Sequence, residues 1–258
     1  MTTSKIPAVE VRASAIGNIM TEPRLKADKE AGLLSETAKT YIQEFAIEQK
    51  YGRRLDFTSK YTEKGKKAEE DGFSLINSVL FPGKLLLKNT KRIKDGKISG
   101  EPDLLFKPDN LVIDNKCSWT LKTFPIFQEP DKKYIWQGFG YMRLTGMKNF
   151  WLCYTMVDTP MEIIFKEIER YGWENKKDLT ALKDQEMYEV AKNHIFTIEG
   201  LDEMKKHFPN ADTSDFIPIP AEKRVKKFEY VFDPLMNNQF EAKYEKCQEY
   251  LNSIWNQI

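Results

Sequence analysis

The stretch from residue 103 to residue 156 constrains this chain most. Two apolar runs, Leu104-Leu105-Phe106 and Leu111-Val112-Ile113, flank the tetrapeptide Lys107-Pro108-Asp109-Asn110. Proline presets the backbone angle at the second position of a type I turn, and Asp-Asn suits its exit. If Phe106 pairs with Leu111, residues whose numbers share one sum face each other, and Asp103 stands opposite Asp114. Opposed side chains of an antiparallel pair have Cβ atoms about 5 Å apart, where two carboxylates repel unless something positive sits between them. Side chains alternate along a strand, so Asp114 and Lys116 share a face and the ammonium lies beside the two acids. Two hard oxygen donors and one cation on a strand scaffold suit a divalent ion such as Mg²⁺ and phosphoryl chemistry.

After a loop containing Phe124, Pro125 and Phe127, residues 132–145 predict a helix apolar nearly all round, ended by Gly146, and residues 150–156 predict a buried strand. Strand, helix and strand in that order form a crossover, which is almost always right-handed with parallel strands. Gln137 and Tyr141, four apart, project from one helix face, and that face meets the sheet end where Asp114 lies. A buried amide and phenol need partners; the lysine or a phosphate oxygen would serve, and a core tyrosine with a capping amide is the alternative.

The remaining pattern predicts helices over residues 14–20, 36–49 and 59–80, the last stopping before Pro82-Gly83. Residues 85–92 and the run from Ile98, joined at Asp95-Gly96, predict a hairpin with a two-residue loop, and the strand carrying Asp103 would continue that meander. Residues 228–232 predict one more strand. Residues 237–255 predict an amphipathic helix with Phe240, Tyr244, Cys247, Leu251 and Ile254 on one stripe. The expected fold class is mixed α/β: a central mixed β-sheet with an antiparallel meander and a right-handed βαβ crossover, flanked by helices. One domain spanning 1–258 would comprise a helical N-terminal part to about residue 57, a core over 58–168, an insertion over 169–222 and a closing strand and helix over 223–258.

At 258 residues and 41% hydrophobic content, the chain can bury a substantial core. It has no apolar run of membrane-spanning length, and its start lacks the basic and apolar segments of a signal peptide, so a cytoplasmic location, in a host cell if phage-encoded, is expected. Cys117, Cys153 and Cys247 are far apart and odd in number, which argues against zinc, an iron–sulfur cluster or a disulfide framework. With 40 basic and 39 acidic residues, attraction to phosphate must be local, through clusters such as Lys64-Gly65-Lys66-Lys67 and Lys132-Lys133. Most such runs are solvated faces. The two histidines, His194 and His207, have no catalytic or metal-binding spacing around them, and no phosphate-binding glycine loop is present.

Glu69 heads a helical stripe through Phe73, Ile76 and Leu80, so it faces inward, with a place at the rim of the core as the alternative, whereas Glu63 and Glu70 do not share that stripe. Gly65, one turn earlier, would allow another backbone to approach. Trp119, Trp136, Phe124 and Phe127 are expected around the site, where aromatic rings can stack on bases. Ser14 begins a helix and can bind phosphate with the free backbone amides, or simply cap.

Any one of these signals is weak, because acidic-x-Lys tripeptides arise by chance in a chain so rich in both charges. Taken in order, Gly65-Lys66-Lys67-Ala68-Glu69, Gly100-x-Pro102-Asp103, Ile113-Asp114-Asn115-Lys116 and Gln137-x-x-x-Tyr141 resemble the PD-(D/E)XK nuclease superfamily. The branch they most resemble is the phage lambda-exonuclease-like, or YqaJ-type viral recombinase, group, which shares the Tyr141-Met142-x-Leu144-Thr145-Gly146 helix ending. The resemblance implies a restriction-endonuclease-like core. It also implies that Asp103, Asp114 and the backbone carbonyl of Asn115 bind Mg²⁺, with Mn²⁺ as a substitute, and that Glu69 supports the metal site. Lys116 would activate or orient the attacking water; Gln137 and Tyr141 would position the site. Ser14, Arg12, Lys66, Trp119, Lys132 and Lys133 are the residues expected to touch DNA. The implied activity is an exonuclease on double-stranded DNA ends in phage-type recombination, with a single-strand annealing protein and a homo-oligomer as implied partners and no membrane. A structure-specific or restriction-type endonuclease and a silent DNA-binding recombination partner are the alternatives. Two positions depart from the branch: Asp114 stands where many relatives carry glutamate, and Pro7 stands where an arginine would precede the serine.

Overall fold

The turn at Lys107–Asp109 closes as a single 3-10 turn, with Asn110 in the left-handed region at φ 54°, a conformation that asparagine tolerates better than most residues. Phe106 pairs with Leu111, Leu105 with Val112 and Leu104 with Ile113, so the expected register is the observed one. The computed structural model describes residues 6–53 and 60–258.

Along the chain, β1 (Val11–Arg12) runs through a 3-10 turn (Ala13–Ala15) into α1 (Ile16–Ile19), followed by α2 (Lys26–Glu30) and α3 (Glu36–Tyr51). Helices α4 (Lys60–Lys67) and α5 (Glu69–Leu80) precede the hairpin of β2 (Ile93–Lys94) and β3 (Ile98–Gly100). Then come β4 (Leu104–Phe106), β5 (Leu111–Cys117), α6 (Lys132–Thr145) and β6 (Asn149–Thr155). Helices α7 (Met161–Glu174), α8 (Asp184–Ala191) and α9 (Ile198–His207) form an appendage, and β7 (Val225–Val231) and α10 (Pro234–Ile254) close the chain.

The central sheet is mixed, in the order β4-β5-β6-β7: β4 and β7 are antiparallel to their neighbours, and β5 and β6 run parallel across the α6 crossover. Its strand β5 is apolar without alternation because both faces are covered. Val112 points into a core built with Phe139 and Met142 of α6, with Phe150 and Leu152. Leu111 and Ile113 point the other way, against Phe73 and Ile76 of α5. That alternation decides the site, since Asp114 and Lys116 follow Val112 onto the α6 face.

Three expectations change. The meander does not continue through Asp103: β3 belongs to a separate small sheet, β1-β3-β2, and β4 starts a new one. Pro102 offers no N–H between them, and its carbonyl accepts instead from the Asn89 side chain at 2.9 Å. Residues 85–92 contribute one isolated bridge, Lys88 to Leu104, rather than a strand; Leu85 and Leu87 are exposed and have no face to bury. The helix expected over 59–80 is two helices hinged at Ala68 (φ −102°, ψ 9°), and its expected start at Ser59 lies outside the described residues. The bend turns α4 toward the loop after β5 while α5 keeps Phe73 and Ile76 on the sheet.

The appendage has its own core, in which Ile164 and Ile168 of α7 meet Leu182, Tyr188, Leu201 and Met204. Helix α7 therefore runs across the boundary placed at residue 168. Among the described residues, no helix is long and apolar enough to cross a membrane.

Helix α6 lies unusually close to β6. A Cβ built on Gly138 would stand 2.1 Å from a ring carbon of Phe150, so the glycine is there for contact distance. Gly138→Ala is expected to destabilise the protein by about 1–3 kcal/mol through overpacking. Urea unfolding measures this, and an unchanged midpoint and slope would contradict the packing argument.

Candidate active site

One cavity of about 690 Å³ opens beside the end of β5, lined by the expected catalytic and metal-binding residues Glu69, Asp103, Asp114, Asn115, Lys116, Gln137 and Tyr141. Asp114 is 1% exposed. Its Oδ2 pairs with Lys116 Nζ at 2.6 Å, and its Oδ1 accepts from Gln137 Nε2 at 3.0 Å. The same Gln137 amide donates to the Tyr141 hydroxyl at 2.9 Å. One turn of α6 thus orients the carboxylate through an amide fixed at both ends. Lys116 also lies 5.1 Å from the ring centroid of Tyr134, one turn before Gln137.

Asp103 precedes β4 and reaches the β5 edge with its side chain: Oδ2 accepts the backbone N–H of Asn115 at 2.7 Å. Burial, then the charge of Asp114, push the Asp103 carboxyl up to about 8 against the pull of Lys116 and the Asn115 amide. Burial also raises Asp114, against Lys116. For Lys116, burial favours the neutral amine, but Asp114 and Asp103 outweigh it and hold the ammonium more firmly charged than usual. Burial and the Asp114 charge push the Tyr141 phenol up, so it stays a hydroxyl.

Asn115 and Cys117 face α5. The Asn115 side chain accepts from Thr155 Oγ1 at 2.9 Å, and a Cβ on Gly72 would stand 2.2 Å from its amide nitrogen. Gly72 therefore lets α5 close over the strand that carries the site. Glu69 opens α5 with its side chain 34% exposed and ion-paired to Lys88, which also holds Glu70 at 2.8 Å. Among the described residues, no three His, Cys, Asp or Glu side chains converge on one point. The acidic donors here are the aspartate pair, with Glu69 at the cavity wall.

Other expectations are redistributed. Gly65 has open space above it rather than a neighbouring backbone. Ser14, Lys66 and Lys133 line the cavity. Arg12 lines a separate cavity with Glu10, Tyr41 and Arg92; β1 ends at Arg12 and Ser14 lies in the 3-10 turn that follows, so the strand alternation that would put residues two apart on one face does not reach it. Lys132 is exposed outside the cavity. Of the four aromatic residues expected around the site, only Trp119 lines it. Trp136 packs on Phe139 and faces a different cavity beside Met20 and Lys243, Phe124 is buried against Met156 and Phe196, and Phe127 is 91% exposed. Tyr134 was legible but passed over: it shares the stripe of Gln137 and Tyr141 at spacings of three and seven. Buried Lys64 carried no signal, since it sits in a lysine run.

The donor chemistry fits a hard divalent cation. Two buried carboxylates raise each other's proton affinity, and a dication would relieve the repulsion that protons otherwise relieve.

Comparison with solved structures places the whole chain. A phage-related exonuclease from Haemophilus somnus superposes with a TM-score of 0.71 at 27% identity, over 97% of this chain and 96% of that one. An alkaline exonuclease (LHK-Exo) from Laribacter hongkongensis superposes with a TM-score of 0.57 at 13% identity, over 96% and 90%. The same enzyme in complex with dAMP gives 0.56 at 14% identity. No family model and no curated protein matches the chain. The fold is thus similar to that of these exonucleases, consistent with the resemblance of the four motifs to the lambda-exonuclease-like branch of the PD-(D/E)XK nucleases.

The aspartate pair gives the metal-free protein a defined pH dependence. Asp103 titrates at about 8 folded and near 3.9 unfolded, so the folded state binds more protons between those values. The stabilisation is fully present below about pH 4 and is lost as pH rises through about 8. In a chelator, melting temperature should therefore fall between about pH 5 and 8, and the fall should be shallower in Asp103→Asn. Identical slopes in the two proteins would rule out this assignment.

Proposed function

We propose that the chain is a Mg²⁺-dependent deoxyribonuclease that hydrolyses phosphodiester bonds at the ends of double-stranded DNA. The observation that carries this reading is the pair Asp103 and Asp114, buried beside Lys116 in an open cavity, on a fold similar over its full length to a protein described as a phage-related exonuclease. Asp103, Asp114 and the Asn115 carbonyl would hold the ion, and Mn²⁺ would substitute. When bound, the ion would polarise the scissile phosphate and offset charge on the leaving oxygen.

The chain's own groups do the rest. Lys116, held charged by both aspartates, faces the space where a phosphate enters and stabilises added negative charge there. Gln137, anchored by Tyr141, keeps the Asp114 carboxylate in one orientation and costs no reorganisation during reaction. Lys66 and Lys133 flank the cavity and attract backbone phosphates irrespective of base sequence. Ser14 offers a hydroxyl from the same wall. Glu69 acts at the rim, its charge balanced by Lys88.

Incubation with linear and circular duplex DNA in Mg²⁺, with EDTA and Asp114→Ala as controls, tests the reading. Linear DNA should be lost and circles spared, and Asp114→Ala should cut at least about 10²-fold more slowly, the scale of losing one electrostatic contributor. Cleaved circles would indicate an endonuclease. DNA retention without cleavage would indicate a binding protein, and full activity in Asp114→Ala would overturn the site.

A further inference from the structure

Lys64 is a buried charge that the hydrolytic chemistry leaves without a task. It is 1% exposed, although it opens a lysine run whose other members are at the surface: Lys66 at the cavity wall and Lys67 paired with Glu63 and Glu162 at 3.1 and 2.6 Å. Its Nζ donates to the main-chain carbonyls of Ser118 at 2.7 Å and Trp119 at 3.4 Å, and lies 5.3 Å from the Phe196 ring centroid. Burial pulls its ammonium down to about 8, a measure of how unfavourable the location is. A residue of similar length without charge would fill the space at lower cost, so the two carbonyls are the reason for a lysine.

Those carbonyls belong to the loop that leaves β5 directly after Asp114, Lys116 and Cys117. Trp119, 8% exposed, lines the cavity and packs edge-on against His194, at 4.9 Å between centroids. From α4, Gly65 and Lys66 line the same cavity, with open space above Gly65. Lys64 thus ties two walls of the cavity together, and Phe196 links them to the appendage.

We propose that Lys64 is a positioning residue: by holding the Ser118 and Trp119 carbonyls to α4, it sets the width of the slot between Trp119 and Gly65-Lys66 that admits the DNA strand. This rests on the nuclease reading and adds the element that shapes its substrate entrance. Contact between Trp119 and a nucleotide is made equally before and during hydrolysis, so its loss acts on KM rather than kcat.

The test is a double-mutant cycle on linear duplex DNA with Lys64→Met, Trp119→Ala and both together. Lys64→Met should raise KM about tenfold, the lower end of what one base–aromatic contact contributes, with kcat changed less than about threefold. In the Trp119→Ala background, the same change should move KM less than about twofold, because the residue acts through that ring. Lys64→Arg, which keeps the donors, should restore most of the affinity. Equal KM increases in both backgrounds, or a fall in kcat at unchanged KM, would overturn the proposal. Should near-UV circular dichroism show that Lys64→Met does not fold, Lys64→Gln takes its place with the same expected split. Should the unmutated protein not cut DNA, the nuclease reading fails by itself, and the cycle is read as Kd for duplex DNA in EDTA.

Discussion

Two carboxyl groups crowded together at the end of β5 are the condition to which the surrounding structure answers. Asp114 is almost fully enclosed and Asp103 reaches across from the neighbouring segment; burial makes both harder to ionise, and the charge of Asp114 adds to this at Asp103. A chain selected for stability alone would avoid this, since buried carboxylates without compensation are expensive. The compensation supplied is partial and specific: one ammonium, one amide fixed by a phenol, and one backbone N–H. What remains uncompensated is what the proposed dication would offset, and the cavity leaves the site open to solvent.

The sheet places these groups through its alternation. Because β5 is covered on both faces, its even-numbered residues from Val112 onward meet α6 and its odd-numbered residues meet α5. The acid, the lysine and the crossover helix that orients them thus share one side, while on the other Cys117 bonds the Ala68 carbonyl at the start of α5 and Asn115 accepts from Thr155 of β6. The close approaches at Gly138 and Gly72 hold both helices against the strands that carry the chemistry. Rigid elements, rather than loops, therefore hold most of the candidate site.

What could be read without coordinates was what short-range chemistry controls. The Pro108 turn sets the register of β4 and β5, and with it brings Asp103, just before β4, to the Asn115 amide beside Asp114. The apolar helix over 132–145 and the strand after it were legible because their composition leaves no solvent-compatible face. Misreadings fell where a partner distant in sequence decides. Residues 85–92 have strand-like composition, but only a lone bridge to β4 awaits them. Pro102 lies between one sheet and the next, and Arg12, two residues before Ser14, lines a different cavity because the strand gives way to a 3-10 turn between them.

The amino-acid sequence by itself determined which side chains share a face, where the turn falls and how the strands on either side of it pair. These follow from the two-residue period of strands, the 3.6-residue period of helices and the fixed angle of proline. Only the tertiary structure decided which of many similar lysines is buried, that Trp119 and not Trp136 lines the cavity, and that Glu69 is held by Lys88 at the rim. Burial is a property of how elements meet, and the contacts that settle it, such as Lys64 with Ser118, join residues 54 positions apart.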